Sequence, residues 1–195
     1  MQRDVNGVVL VPIQSADKIM KVIEILLETT EYEIFVDLDG VLADFTKGIS
    51  RLWGEAFNEK TCDMNKRCLQ RMWDSIHVYT KEGGEIWYEL ELMPDARELW
   101  DYIKKHNPQV LSATGHTVKE HTADQKRRWV AKHFGKHVKV NLTQTAQQKS
   151  QYALPGRILI DDKTKAINPW EAAGGVGILH TSAANTISEL KSLGI

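Results

Sequence analysis

Five polar side chains stand at the ends of short apolar runs in this sequence, and together they could gather round a bound ion. Asp37 and Asp39 close one run, Ser112 closes a second, and Asp161 with Asp162 closes a third. Four carboxylates brought together repel one another unless protons or a cation intervene. Carboxylate oxygens select a hard divalent ion, and Mg²⁺ is the default choice. Each piece also has a plain structural meaning. Asp-Xaa-Asp-Gly is often only a turn, Asp161-Asp162 could cap a helix, and Ser112 could be an ordinary loop hydroxyl. All three plain meanings would have to hold at once. A calcium-binding EF-hand is excluded, because glycine falls at the fourth loop position rather than the sixth and no Glu occupies the twelfth.

The elements that must position these groups follow from periodicity. Glu33–Asp37, Gln109–Ser112, Arg157–Asp161 and Val176–His180 are short, β-branched or aliphatic runs that read as buried strands, with a weaker one at Val138–Leu142. Helical spacing recurs between them: Ser15–Glu28, a helix opening at Pro94 that carries Leu99, Trp100 and Ile103, then Thr122–Phe134 and Ala184–Leu193. Strands alternating with helices predict an α/β fold with a parallel sheet, and ligands of such sheets bind at the carboxyl ends of the strands. Three of those ends carry the five polar groups.

From about 46 to 92 the alternation stops. Phe45, Trp53, Phe57, Trp73, Tyr79, Trp87 and Tyr88 are seven of the chain's fifteen aromatics, gathered in or beside this stretch. It reads as a helical insertion. The expected organisation is a core of 1–45 and 93–195, with 1–30 an extension of unassigned role, and an inserted 46–92.

Composition bounds the partners. The 195 residues carry 25 basic and 26 acidic side chains, a formal net charge of −1, so no broad field exists to hold a polyanion, and a nucleic-acid scaffold or polybasic membrane binder is disfavoured. No apolar run approaches the ~20 residues that span a bilayer. The N-terminal patch Val8–Ile13 is broken by Pro12 and makes a poor leader core. Cys62 and Cys68 are too few for a disulfide framework and are expected as two reduced thiols in a cytoplasmic protein.

Phe35-Val-Asp-Leu-Asp-Gly-Val-Leu-Ala-Asp-Phe45 resembles the first motif of the haloacid dehalogenase (HAD) superfamily, in the form seen in 5'(3')-deoxyribonucleotidases. Glu89-Leu-Glu-Leu-Met-Pro94 resembles that family's return from cap to core, Lys126-Arg-Arg-Trp-Val-Ala-Lys-His-Phe-Gly135 its third-motif helix, and Ile158-Leu-Ile-Asp-Asp-Lys163 its fourth motif. Asn168 and Gly174-Gly175 are also in family style, and residues 1–30 lie outside the resemblance. The resemblance implies a HAD-like core with a small helical cap and a Mg²⁺-dependent phosphatase acting on nucleoside monophosphates. It implies Asp37 as nucleophile and Asp39 as general acid and base. Mg²⁺ would sit on the Asp37 carboxylate, the Asp39 carbonyl and one acid of the Asp161-Asp162 pair, with Asp162 favoured. Ser112 and Ala113 would meet phosphoryl oxygens, and Lys126, or else Lys149, would supply fixed positive charge. Phe45, Trp87 and Tyr88 are the candidates for nucleobase contact. A homodimer is compatible with the resemblance.

Two departures stand out. Ser112 replaces the usual Thr and keeps the donor. His116 stands where mammalian relatives have a phosphate-contacting Lys, so charge is lost near neutral pH. Two other readings remain: a HAD phosphatase for another small phosphoester such as a sugar phosphate, and a nucleotide-binding module without turnover. The second would need a lost nucleophile or metal ligand, and all four acids are present.

Overall fold

Aliphatic and β-branched runs, each bounded by a turn, make the strands. In the computed structural model, which describes residues 18, 20, 32–115 and 119–195, β1 (Glu33–Val36), β2 (Gln109–Ala113), β3 (Val140–Thr143), β4 (Arg157–Asp161) and β5 (Val176–Leu179) form one sheet. Its order is β3-β2-β1-β4-β5 and every neighbouring pair is parallel. All five expected strands are present, with ends shifted by a residue or two. β1 stops at Val36, because Asp37 leaves the ladder while its N–H still donates to the Ile160 carbonyl at 3.0 Å.

The period-two alternation of a strand divides the core. Ile34, Val36, Val110, Ile158 and Ile160 pack on one face with Leu99, Trp129 and Val130, whereas Phe35, Leu111 and Leu159 pack on the other with Ala166, Ile167 and Trp170. Burial on both faces is why these strands read as continuous apolar runs.

The insertion is helical: α1 (Phe45–Trp53), α2 (Glu59–Asp63), α3 (Lys66–Lys81) and α4 (Ile86–Glu89). Asp44, Asn58 and Asn65 cap the first three with side-chain oxygens that accept backbone N–H groups. The core helices are α5 (Ala96–Ile103), α6 (Lys119–His133), α7 (Thr164–Ala172) and α8 (Ala183–Ser192). The three expected among them occur with small shifts, α5 starting at Ala96 rather than at Pro94. Among the described residues no helix is long and apolar enough to cross a membrane.

The cysteines correct an expectation. Cys62 lies in the last turn of α2 and Cys68 in the first turn of α3; the tight connection capped by Asn65 brings their Cα atoms to 5.2 Å, and they form a disulfide rather than two free thiols. The chain divides into two units, Met1–Glu31 and Tyr32–Ile195. In the first, Lys18 and Met20 are helical and exposed; the rest of the expected Ser15–Glu28 helix and the Val8–Ile13 patch lie outside the described residues.

Candidate active site

Strand register assembles the polar groups. Val36 of β1 pairs with Val110 of β2 and with Ile160 of β4, so the next residues, Asp37 and Asp161, emerge side by side, with Ser112 on the strand across from them. After β1 the chain turns at Gly40 with φ of +81°, and a Cβ there would fall 2.6 Å from Asp162 Oδ2. Only glycine satisfies both demands.

Two buried lysines wire the acids. Lys149 Nζ lies 2.8 Å from Asp37 Oδ2 and 2.6 Å from Asp161 Oδ2. Lys126 Nζ lies 2.6 Å from Asp39 Oδ2 and donates to Ser112 Oγ and the Ala113 carbonyl, both at 2.8 Å. Both lysines named from the sequence therefore reach the reactive acids, each on a different one. Lys149 lines the crevice beside Asp37, and Lys126 is not among the lining residues.

These pairings push the first two carboxyl groups in opposite directions. Burial works to raise Asp37, but the Lys149 and Lys126 ammonium groups outweigh it and hold the group below the ordinary aspartate value. Burial also works on Asp39, here with the Asp37 charge behind it, and the carboxyl is raised despite its bond to Lys126. Environments that separate two neighbouring carboxyl groups in this way sort them into an ionised one and a proton carrier.

Asp37, Asp161 and Asp162 each offer an oxygen within 4.8 Å of the others. Asp161 is spent on Lys149 and on the Lys163 N–H, which donates to its Oδ1 at 2.9 Å. Asp162 Oδ1 and Asp39 Oδ1 are buried without a hydrogen-bond partner among the described residues. An orphaned carboxylate oxygen in an all-oxygen cluster is what a hard divalent cation would satisfy. Burial, working against Lys163, pushes Asp162 up to about 7 and, against Lys149, Asp161 up to about 6, with the neighbouring carboxylates adding to both shifts.

The crevice encloses about 460 Å³. Phe45 and Trp87 stand in its wall, their rings 5.3 Å apart, and the backbone N–H of Trp87 donates to the side-chain oxygen of buried Gln125 at 3.0 Å. Tyr88 is a correction. It is not among the lining residues, and its ring lies under Arg128 and Lys132 of α6, because successive helical residues point about 100° apart. Leu69, Met72 and Trp73 of α3 complete the wall, with Trp73 at 6.5 Å from Trp87. The sequence reading missed them, although their i, i+3, i+4 spacing marks an apolar helix face. Glu59, Asp63, Lys163 and Lys165 also line the crevice, and the sequence reading assigned none of them a role there. His116 lies outside the described residues.

Comparison with known proteins bears on the family and the fold. The sequence profile of the family described as 5' nucleotidase, deoxy (pyrimidine), cytosolic type C protein matches residues 31–191. The human cytosolic-type 5'(3')-deoxyribonucleotidase is 28% identical over 170 residues, covering 78% of this chain and 81% of that protein. Among solved structures, the HAD hydrolase YfnB from Bacillus subtilis, bound to magnesium, is 13% identical with a TM-score of 0.51, covering 84% of this chain and 99% of the other. It shares the fold. A hydrolase from Streptococcus pneumoniae is 15% identical with a TM-score of 0.49, covering 83% of this chain and 99% of its own.

Proposed function

The chain belongs to the 5' nucleotidase, deoxy (pyrimidine), cytosolic type C family, a group of phosphoric monoester hydrolases with the HAD fold, and from that premise we propose that it hydrolyses nucleoside monophosphates, deoxyribonucleotides in preference, with Mg²⁺. The observation that carries the reading is the opposed pair: Asp37 held ionised between two ammonium groups, and Asp39 raised towards its protonated form two residues away.

In this reading an Asp37 oxygen attacks phosphorus, and the bond from phosphorus to the ester oxygen breaks. Asp39 gives its proton to the departing alkoxide, leaving an aspartyl-phosphate on Asp37. Asp39, now a carboxylate, takes a proton from water as that water attacks phosphorus, and the Asp37–phosphorus bond breaks to release inorganic phosphate. Lys149, which faces the crevice beside Asp37, neutralises the phosphoryl oxygens. Lys126 holds Asp39 and Ser112 in place, and Ser112 and Ala113 bound the phosphoryl site. Asp37, Asp162 and the Asp39 carbonyl would hold Mg²⁺, with Asp161 behind them; when bound, the ion spreads the phosphoryl charge. Residues 46–92 act as the cap, and Phe45, Trp73 and Trp87 offer the faces on which a base stacks. A cytosolic location is carried over from the human relative.

Phosphate release from nucleoside monophosphates and sugar phosphates, with Mg²⁺ and with EDTA, tests this. The expected outcome is the highest kcat/KM on deoxyribonucleotides and loss of turnover in EDTA. A sugar phosphate turned over with higher kcat/KM would move the substrate to the second phosphoester class.

A further inference from the structure

Lys163 stands between the cap and the acids that would hold the metal. Its Nζ lies 3.0 Å from Glu59 Oε1 and 3.6 Å from Asp63 Oδ2, both on α2, and 3.5 Å from Asp162 Oδ2 on the core. Its backbone is pinned, because its N–H donates to Asp161 Oδ1. Only the side chain can choose between the two sides. Glu59 and Asp63 have fixed seats as well, since the Cys62–Cys68 disulfide ties α2 to α3. The Lys163 side chain is 19% exposed, which protects these pairings from much of the screening that weakens surface ion pairs.

An ammonium beside Asp162 opposes a divalent cation at the same carboxylate, because like charges compete for it. The distances favour the cap: 3.0 Å to Glu59 is within hydrogen-bond reach and 3.5 Å to Asp162 is at its limit. Lys165, 3.6 Å from Asp63, adds a second tie between α2 and the core. We propose that Glu59 and Asp63 are positioning residues for the metal site: they draw the Lys163 ammonium away from Asp162 and thereby set, from the cap, how tightly the core binds Mg²⁺. Linkage makes the effect reciprocal, so Mg²⁺ at Asp162 drives Lys163 onto the cap acids and strengthens the hold of cap on core. The inference rests on the metal site argued above.

The test is Mg²⁺ binding to the full-length, EDTA-stripped protein by calorimetry, with melting temperatures recorded to compare folding. Glu59→Gln and Asp63→Asn are expected to weaken Mg²⁺ binding by about fivefold or more, the lower range of coupling between sites. Lys163→Met is expected to tighten it, and Glu59→Gln combined with Lys163→Met to bind like Lys163→Met alone. That reversal is the sign of action through the lysine, since general loosening of the cap would weaken binding in either background. Equal binding by wild type and both cap variants overturns the proposal, as does a Glu59→Gln loss that persists in the Lys163→Met background. A wild-type protein that binds no Mg²⁺ overturns the metal reading itself and this inference with it, a result distinct from both others.

Discussion

The two ends of the crevice are built by different rules. At the acidic end, each polar group leaves a strand whose register is fixed by its neighbours, so Asp37, Ser112 and Asp161 have little freedom in where they stand. At the aromatic end, the wall is made by helices packing on one another, and a rotation about the helix axis decides which ring faces in. Trp87 and Tyr88 are adjacent in sequence, yet Trp87 lines the crevice while Tyr88 sits under Arg128 and Lys132. A strand end therefore announces its chemistry more plainly than a helix face does.

The strand-end rule is broken most directly at Asp37. Asp37→Asn removes the carboxylate proposed to attack phosphorus, and turnover is expected to fall by about four orders of magnitude or more, the scale seen when a covalent nucleophile is lost. The fold should persist, because the amide keeps the shape and an acceptor for the Leu38 N–H that Asp37 Oδ1 now takes at 2.7 Å. A variant with a tenth of wild-type kcat would remove Asp37 from the nucleophile's place.

The cap wall should respond more mildly and more selectively. Trp73→Ala is expected to cost about 1–3 kcal/mol in kcat/KM for nucleoside monophosphates, the range for one stacked base. Nitrophenyl phosphate, which carries no base to stack, should be spared. If both substrates suffer equally while the melting temperature falls, Trp73 is packing and not a base contact.

That contrast also explains what was legible. The apolar runs that become β1, β2 and β4 are unambiguous because both faces of the sheet are covered, and the acids that follow them could be named from the sequence alone. Lys126 and Lys149 could be named but not assigned, because their targets depend on how a helix and a short 3₁₀ turn (Gln147–Tyr152) meet the strand ends. The Cys62–Cys68 pairing was hidden because it depends on the local turn between α2 and α3, which spacing does not reveal. The ion pairs from Lys163 to Glu59 and Asp63 join residues about a hundred positions apart, and nothing periodic marks them.

The acidic cluster has a pH signature that the aromatic wall lacks. With no cation bound, burial pushes the Asp162 carboxyl up to about 7, far above the 3.8 of a free aspartate. A raised acid holds its proton in the native state, so this group costs the metal-free protein stability as pH climbs from about 4 to about 7. Mg²⁺ needs the ionised form, so its affinity should fall by about tenfold per unit as pH drops below 7 and level off above it. Calorimetric titrations at several pH values check this, and a flat profile would mean that no raised carboxyl has to ionise for Mg²⁺ to bind.

The smallest effect is expected where the sequence reading was corrected. Tyr88 is half-buried beneath two cations, with the Arg128 guanidinium at 4.6 Å and the Lys132 ammonium at 4.8 Å from its ring. Partly exposed cation–π contacts contribute about 0.5–1 kcal/mol. Tyr88→Leu keeps the apolar body and removes the ring, so denaturant unfolding should register a loss of about that size. KM for nucleoside monophosphates should stay at the wild-type value, because Tyr88 does not line the crevice. Trp87, one residue earlier, offers the opposite case: its ring lies 5.4 Å from the Lys126 ammonium that grips Asp39, so its truncation should disturb both KM and kcat. If Tyr88→Leu raises KM as much as Trp73→Ala does, the cap must turn during binding to bring Tyr88 onto the base, and the division of α4 into an inner and an outer ring fails.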